Sequence, residues 1–480
     1  MKRNFALFLL LVVLRPASAR AQSGAQTPDF PQHGPYFFCD SRVVEDRWMV
    51  DRFVVQLAKD PRNPLIVKDK PWEQIGPLAG GSVLWDPQDG LFKLWYGIFD
   101  LDAYRNRTPF SYNICYAESE DGVHWRKPDL GLFDKRGQMS KHNNCVKLGR
   151  EKTSGIDVEF NPYPHGRDDR FVAIHNDSGG VFVSTSGDGK LFHPDFSRPA
   201  VPYHSDTHNN FVYDEVRKRW LMFVRPQAFA GAGLKGVGRR RVAVKESRDL
   251  RTWTRERTVL TPNEDDPDNF YGMTVFRRGD LLFGALQLYE TRHHHIREEL
   301  VWSADGFTWE RLPRSTHPIF LDVGPEGSWD DGMVFLMDRP VVVGDEMWFY
   351  YAGCDTPHTA FGDYGIGRAV TRLDRLVGLR ARPDTLGRVL TRPLHVEGNL
   401  VLNASATGGE IRVSVHTAED KVIPGWTAAE CQPVRGDAVA APVHWREHGL
   451  SELAGKTVRL RFHLRNATLY TFDFRPGGGR

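Results

Sequence analysis

Four heptapeptides in the middle of this 480-residue chain share one spacing. They are Ser119-Glu120-Asp121-Gly122-Val123-His124-Trp125, Ser186-Gly187-Asp188-Gly189-Lys190-Leu191-Phe192, Ser247-Arg248-Asp249-Leu250-Arg251-Thr252-Trp253 and Ser303-Ala304-Asp305-Gly306-Phe307-Thr308-Trp309. Their serines step by 67, 61 and 56 positions, and a weaker copy, Thr371-Arg372-Leu373-Asp374, lies 68 further on. Each follows a short apolar strand, such as Asn113 to Glu118 or Arg241 to Lys245. An aromatic-rich strand lies upstream of each: Leu91 to Gly97, Arg170 to His175, Arg219 to Arg225, Leu281 to Leu286 and Glu346 to Ala352. A Gly-, Pro- or Asp-containing turn precedes each of those, and a further apolar run precedes the turn. The unit is therefore four strands, repeated five times. Repeats of this kind are the mark of β-propeller blades, the longer steps leaving room for inserted loops. The Asp of each heptapeptide caps a turn, the Gly takes a positive φ, and the aromatic packs between blades.

Composition agrees with an all-β chain. It is 40% hydrophobic and 26% charged, with 45 Gly and 30 Pro, so it is turn-rich and able to bury large cores. The formal net charge of +2 offers no basic stripe for nucleic acid. Lys2 and Arg3 precede an apolar run from Phe5 to Leu14, and Ala19-Arg20-Ala21 suits cleavage before Gln22. Residues 1–21 are thus expected to be an export signal, too short to span a bilayer. Its loss removes four basic residues and leaves 59 basic against 61 acidic side chains, a charge of −2. The product is expected to be secreted or periplasmic, away from the membrane after cleavage, and its oligomeric state is not written in the sequence. Cys39, Cys115, Cys145, Cys354 and Cys431 form no C-x-x-C, so a zinc site is not expected, and any disulfide pairing stays open. Residues 22–72 read as a lead-in with little periodicity and 73–385 as the propeller. Residues 386–480, with alternating strands at Asn399–Asn403, Glu410–His416, Thr457–Leu464 and Thr468–Phe474, read as a small β-sandwich.

The innermost strand of a blade opens at its N-terminal end into a shared funnel, which selects the polar residues that matter. Blade two offers Asp157, blade three Asp206, blade four Asp268 and blade five Asp330. Like charges converging on one hollow are costly unless used. Glycoside hydrolysis needs such a set, one carboxylate acting as base or nucleophile and another held protonated as acid. These four are the catalytic candidates. His208, Asn209, Arg225, Tyr271, Glu290, Arg292 and Trp329 are the substrate-binding candidates, the aromatics stacking on sugar faces and the others bonding hydroxyls or a carboxylate. His293-His294-His295 is not taken as a metal site, because neighbours on a strand point to opposite faces. No cofactor is expected, although a structural Ca²⁺ in the channel is compatible with its lining.

The S-x-D-G-x-x-W pieces resemble the Asp-box hairpins of sialidases. Five blades, an export signal and a trailing β-sandwich together resemble the five-bladed propeller glycosidases of families 32, 43 and 68, over roughly residues 75 to 475. That resemblance implies a carbohydrate substrate, a base Asp on blade one, a supporting Asp on blade two and an acid Glu on blade three. Only Asp157 fits its place. Blade one has Gly80-Gly81-Ser82 where the base is due, and blade three has Asp206 instead of Glu. Either the constellation is rotated towards Asp157, Asp206, Asp268 and Asp330, or the chain hydrolyses nothing. The expected function is thus an exported glycoside hydrolase acting on a poly- or oligosaccharide. The alternatives are a non-catalytic carbohydrate-binding propeller, a structural or protein-interaction propeller and, among enzymes, a polysaccharide lyase using Tyr271 with Arg225.

Overall fold

A computed structural model describes residues 30–137, 139–227, 239–267, 269–316 and 318–476. The expected signal, residues 1–21, and Asp268 lie outside the described residues. The chain is all-β: a five-bladed propeller followed by a small β-sandwich.

Blade one comprises Ile75–Asp86, Leu91–Phe99 and Tyr112–Ser119, with an outer bridge between Glu118 and Arg126. Blade two is Ser154–Phe160, Phe171–Asp177, Gly180–Ser186 and His193–Pro194. Blade three is Asn210–Asp214, Arg219–Val224, Val242–Ser247 and Arg257–Leu260. Blade four is Asn269–Arg278, Leu281–Glu290, His295–Ser303 and Ile319–Leu321. Blade five is Met333–Leu336, Glu346–Cys354 and Tyr364–Arg372, and its outer strand, Ala58–Lys59, comes from the lead-in. That borrowed strand latches the ring. Asp60 N–H donates to the Arg368 carbonyl at 2.9 Å, and Lys59 Nζ lies 2.6 Å from Asp330 Oδ2.

Each of the five seams between blades has its own apolar cluster. Trp95, Ile114, Ile156 and Phe171 fill the seam of blades one and two, and Phe92, Tyr96, Met337 and Tyr350 fill that of blades five and one. The heptapeptides do what their spacing implies. In the first, Asp121 Oδ1 accepts from Val123 and His124 N–H at 2.8 Å each, and Gly122 N–H donates to Ser119 Oγ at 2.9 Å. Gly122, Gly189 and Gly306 have φ of 71°, 74° and 78°, while Leu250 holds the same left-handed turn at 61°. Trp125, Phe192, Trp253 and Trp309 each enter a different seam.

A second device closes the ring from inside. Near the axis, polar side chains reach across to the backbone of the next blade. Ser82 Oγ accepts from Val158 N–H at 2.7 Å, Asp157 Oδ2 from Phe211 N–H at 2.7 Å, Asn210 Oδ1 from Val275 N–H at 2.8 Å, and Glu298 Oε1 from Leu336 N–H at 2.8 Å. One such clasp therefore joins each pair from blades one and two to blades four and five.

In the sandwich, Asn399–Thr417 runs with Thr468–Arg475 along its first half and with Thr457–Arg465 along its second, bending where the register shifts. The sequence places two strands where this one long strand lies. The lead-in strands Tyr36–Phe37, Val44–Trp48 and Val50–Val54 also join this sheet, as does Val377–Ala381. Asn403 ties the two parts together, accepting from Arg375 Nε at 2.9 Å and donating to the Leu373 carbonyl at 2.6 Å.

Candidate functional site

A hollow of about 260 Å³ opens at one end of the channel, where the inner strands of the blades begin. Bulges shape its mouth. The register of the inner strands shifts between Leu78 and Ser82 in blade one, between Ser154 and Asp157 in blade two, and between Phe270 and Met273 in blade four. A bulge re-aims side chains locally. In blades one and two it brings backbone to the wall, at Gly80 (φ 84°) and Gly155 (φ 60°). A Cβ on Gly80 would sit 3.0 Å from the Gly155 Cα. In blade four it turns Tyr271 into the hollow, with the Tyr271 carbonyl accepting from Thr207 Oγ1 at 3.0 Å and Arg225 Nη2 at 2.7 Å.

One carboxylate lines the hollow among the described residues, that of Asp206. The His204 ring lies 3.7 Å away and Arg225 Nη1 3.6 Å away. Partial burial works against ionisation, but these two neighbours outweigh it and hold the Asp206 carboxyl below the usual range. Arg225 is buried and also lies over the Tyr271 ring, 4.9 Å from its centroid, so it joins Asp206 to Tyr271. The Tyr271 hydroxyl is hydrogen-bonded to His358 Nε2 at 3.0 Å. Burial raises the Tyr271 hydroxyl, with Arg225 and Arg240 opposing, and lowers His358 to about 4, so that imidazole is neutral near pH 7. His208 is likewise pushed down to about 4 by burial.

Polar side chains share this wall: Asn176, His204, Thr207, His208, Gln287 and His358 line the hollow with Asp206. Hydroxyl recognition uses such a set of donors and acceptors. At the rim Phe361 is 59% exposed and stacks on Phe99 at 5.7 Å, with Tyr104 edge-on at 6.3 Å.

The sequence candidates divide. Asp206, His208, Arg225 and Tyr271 come together here. Asp157 does not line the hollow: it is fully buried in the channel wall, where its Oδ2 accepts from Asn210 Nδ2 at 2.8 Å as well as from Phe211. Burial first and the neighbouring Asp338 second raise its carboxyl well above the usual range, against the pull of Arg339. Asp330 is buried in blade five, bonded to Lys59, Tyr351 (2.9 Å) and Ser328 (3.1 Å). Trp329 stacks on Tyr351 at 5.5 Å and covers Gly353, Gly365 and Gly367, where a Cβ would meet it at about 3 Å. Asn209 is spent on its own turn, accepting from Ser205 Oγ at 2.6 Å. Glu290 sits at a strand end beside His293 and Arg297, and Arg292 is exposed; neither lines the hollow. The correction for these has one cause: loops between strands and bulges, not strand starts alone, decide what faces the funnel. His358 and Lys152 reach the hollow from loops, and Asn176 and Gln287 from the second strands of their blades, so the starts of the inner strands do not point to them. No group of His, Cys, Asp and Glu able to hold a metal occurs among the described residues.

No family model matches the chain, and no curated protein is similar to it. Solved structures are similar in fold. One is an N-acetylgalactosamine deacetylase from F. plautii in complex with blood group B trisaccharide, 16% identical, TM-score 0.42, covering 72% of this chain and 95% of that one. Another is the β-1,2-mannobiose phosphorylase of Listeria innocua, 14% identical, TM-score 0.46, covering 66% and 97%. A third is the catalytic domain of a Coprinopsis cinerea GH62 α-L-arabinofuranosidase, 11% identical, TM-score 0.44, covering 66% and 97%. At these identities the likeness is one of fold.

Proposed function

We propose that this chain is a carbohydrate-cleaving enzyme, a glycosidase that admits the terminal unit of a poly- or oligosaccharide into the funnel. The observation that carries this reading is a hollow lined by an ionised Asp206 together with the polar side chains of Asn176, His208, Gln287 and His358. The hollow is about 260 Å³, at the small end of ligand pockets, which run from roughly 300 Å³ upward; it suits one sugar ring better than a chain. Asp206 acts as base or nucleophile, since its carboxylate stays ionised. Tyr271, hydrogen-bonded to His358, is the described group able to hand a proton to the leaving oxygen. Water then adds its hydroxyl to the anomeric carbon, and its remaining proton goes back to Tyr271. The test is turnover of a glycan panel by wild type, Asp206→Asn, Asp268→Asn and Tyr271→Phe. Unchanged turnover in all three variants would remove the hydrolytic reading. Binding without product would leave a carbohydrate-binding propeller.

A second reading rests on Tyr271 alone. Arg225 and Arg240 lie over its ring at 4.9 and 5.2 Å. A phenol flanked by two cations suits proton abstraction beside a uronate carboxylate, followed by elimination. A product absorbing in the near ultraviolet would establish that lyase chemistry. Export belongs to the same proposal, and a mature N-terminus at Gln22 in secreted protein is its measurement.

A further inference from the structure

We propose that the sugar bound in the funnel carries an anionic group, a carboxylate or a sulfate ester. This rests on the saccharide reading above and narrows it. Among the described residues the charges around the hollow do not balance. Asp206 is matched by Arg225, whose Nη1 lies 3.6 Å from its carboxylate. Two further cations remain. Arg240 lies over Tyr271 and Tyr289, 5.2 and 5.4 Å from their centroids, and Lys152 Nζ lies 5.5 Å over the Tyr112 ring. Among the described residues neither has a carboxylate within ion-pair distance. The three imidazoles His204, His208 and His358 line the same wall. A neutral sugar is recognised by amides and hydroxyls and gains nothing from uncompensated, partly desolvated cations. An anion recovers that cost through charge-assisted hydrogen bonds, about twice as strong as neutral ones.

The experiment is calorimetry with four probes: a trigalacturonate, a sulfated galactan tetrasaccharide, and neutral mannotriose and cellotriose, each at 20 and 300 mM salt. Wild type should bind one acidic probe at least tenfold tighter than either neutral one, and less tightly at high salt. The carboxylate and sulfate arms say which anion is meant. Arg240→Gln and Lys152→Gln should each weaken the acidic probe tenfold or more while the melting temperature stays within about a degree. Neutral sugars bound as tightly as acidic ones, or acidic binding indifferent to both substitutions, would overturn the inference and leave the saccharide reading intact. No binding of any probe would overturn both.

An independent observation assigns a modification site in blade one. Cys115 and Cys145 are buried with their sulfurs 3.2 Å apart. Tyr116 N–H donates to the Asn144 carbonyl, and Val146 N–H to the Ile114 carbonyl. This makes Cys115 and Cys145 a non-hydrogen-bonded antiparallel pair, whose Cα atoms lie about 4.5 Å apart, within the range of a disulfide. We infer that they form a cross-strand disulfide when the chain folds in contact with a disulfide oxidant such as oxidised glutathione. Both thiols lose a proton, their sulfurs are oxidised to the bridge, and one glutathione disulfide is reduced to two thiols. Protein refolded in a glutathione buffer should be alkylated at three cysteines after non-reducing denaturation, with a peptide linking Cys115 to Cys145. Alkylation of all five would refute the bridge, as would the same link count in Cys115→Ser.

Discussion

Asp157 and Asp206 belong to neighbouring blades, stand near the same axis and look alike in sequence, yet the molecule uses them in opposite ways. Asp157 lies in the layer where the blades clasp one another, and Asp206 lies at the mouth above it. In the clasping layer a carboxyl oxygen serves the backbone of the next blade. At the mouth, the Asp206 carboxylate lines the hollow. Proximity to the channel therefore does not make an acid catalytic; what counts is whether its oxygens reach the hollow or are turned to the next blade.

The largest effect should come from separating the two. Asp206→Asn should lower turnover by about a thousandfold or more, on the order of 4 kcal/mol of transition-state stabilisation, and leave the melting temperature nearly unchanged. Asp157→Ala should do the reverse. It strands the Phe211 N–H and the Asn210 amide in a dry wall, which costs roughly 2–5 kcal/mol of stability. Thermal unfolding and steady-state kinetics on both variants check this. A stable but inactive Asp157→Ala would break the distinction.

Next is Glu298, which clasps blade five from blade four. Burial raises its carboxyl to about 8 from an ordinary 4.5, with the Leu336 N–H and the nearby Gln287 amide opposing. A raised carboxyl pKa means the folded state holds a proton that the unfolded chain releases. Its contribution to stability is complete below about pH 4.5 and is lost as pH rises towards 8. Glu298→Gln keeps the acceptor and removes the titration. Its melting temperature should therefore fall less than that of wild type between pH 5 and 8. The buried His208 and His358, at about 4, have the opposite sign: their contribution is present above about 6.5 and lost as pH falls towards 4.

Gly189→Ala sharpens the comparison from the rim of the ring. At φ 74°, its Cβ would lie 2.6 Å from the Trp95 ring in the seam of blades one and two. The combination of left-handed strain and overpacking should cost about 2–3 kcal/mol, read from denaturant unfolding, with turnover unaffected.

The blades were legible because four of them carry a local signature, Asp, then a left-handed turn residue, then an aromatic that fills a seam, and the fifth keeps the aromatic-rich strand Glu346–Cys354. The lead-in was not, since its strands are two to five residues long and pair with partners some 310 to 440 positions away. Half of the site was legible for a similar reason. Asp206 and His208 precede an inner strand and Tyr271 lies within one, where the repeat itself points. His358 comes from an insertion in blade five, held by its N–H bond to the His294 carbonyl at 3.0 Å. No local pattern predicts that fold-back. Asp330 and Trp329 misled because they share the position of a funnel residue, while Lys59, the partner that claims Asp330, lies 271 residues earlier.

The smallest expected effect tests the boundary of the mouth. Glu290 and Arg292 lie close in sequence to Tyr289, which packs at 4.9 Å against His358, so a loosely drawn funnel would include them. Yet Glu290 pairs with His293 and Arg297 at 3.5 and 3.9 Å on a partly exposed surface, where such pairs contribute about 0–1 kcal/mol. Glu290→Gln and Arg292→Ala should each leave stability within about 0.5 kcal/mol and turnover within about twofold. A tenfold loss in either, measured against the Asp206→Asn baseline, would mean that substrate extends over this edge of blade four and that the mouth is wider than its lining side chains suggest.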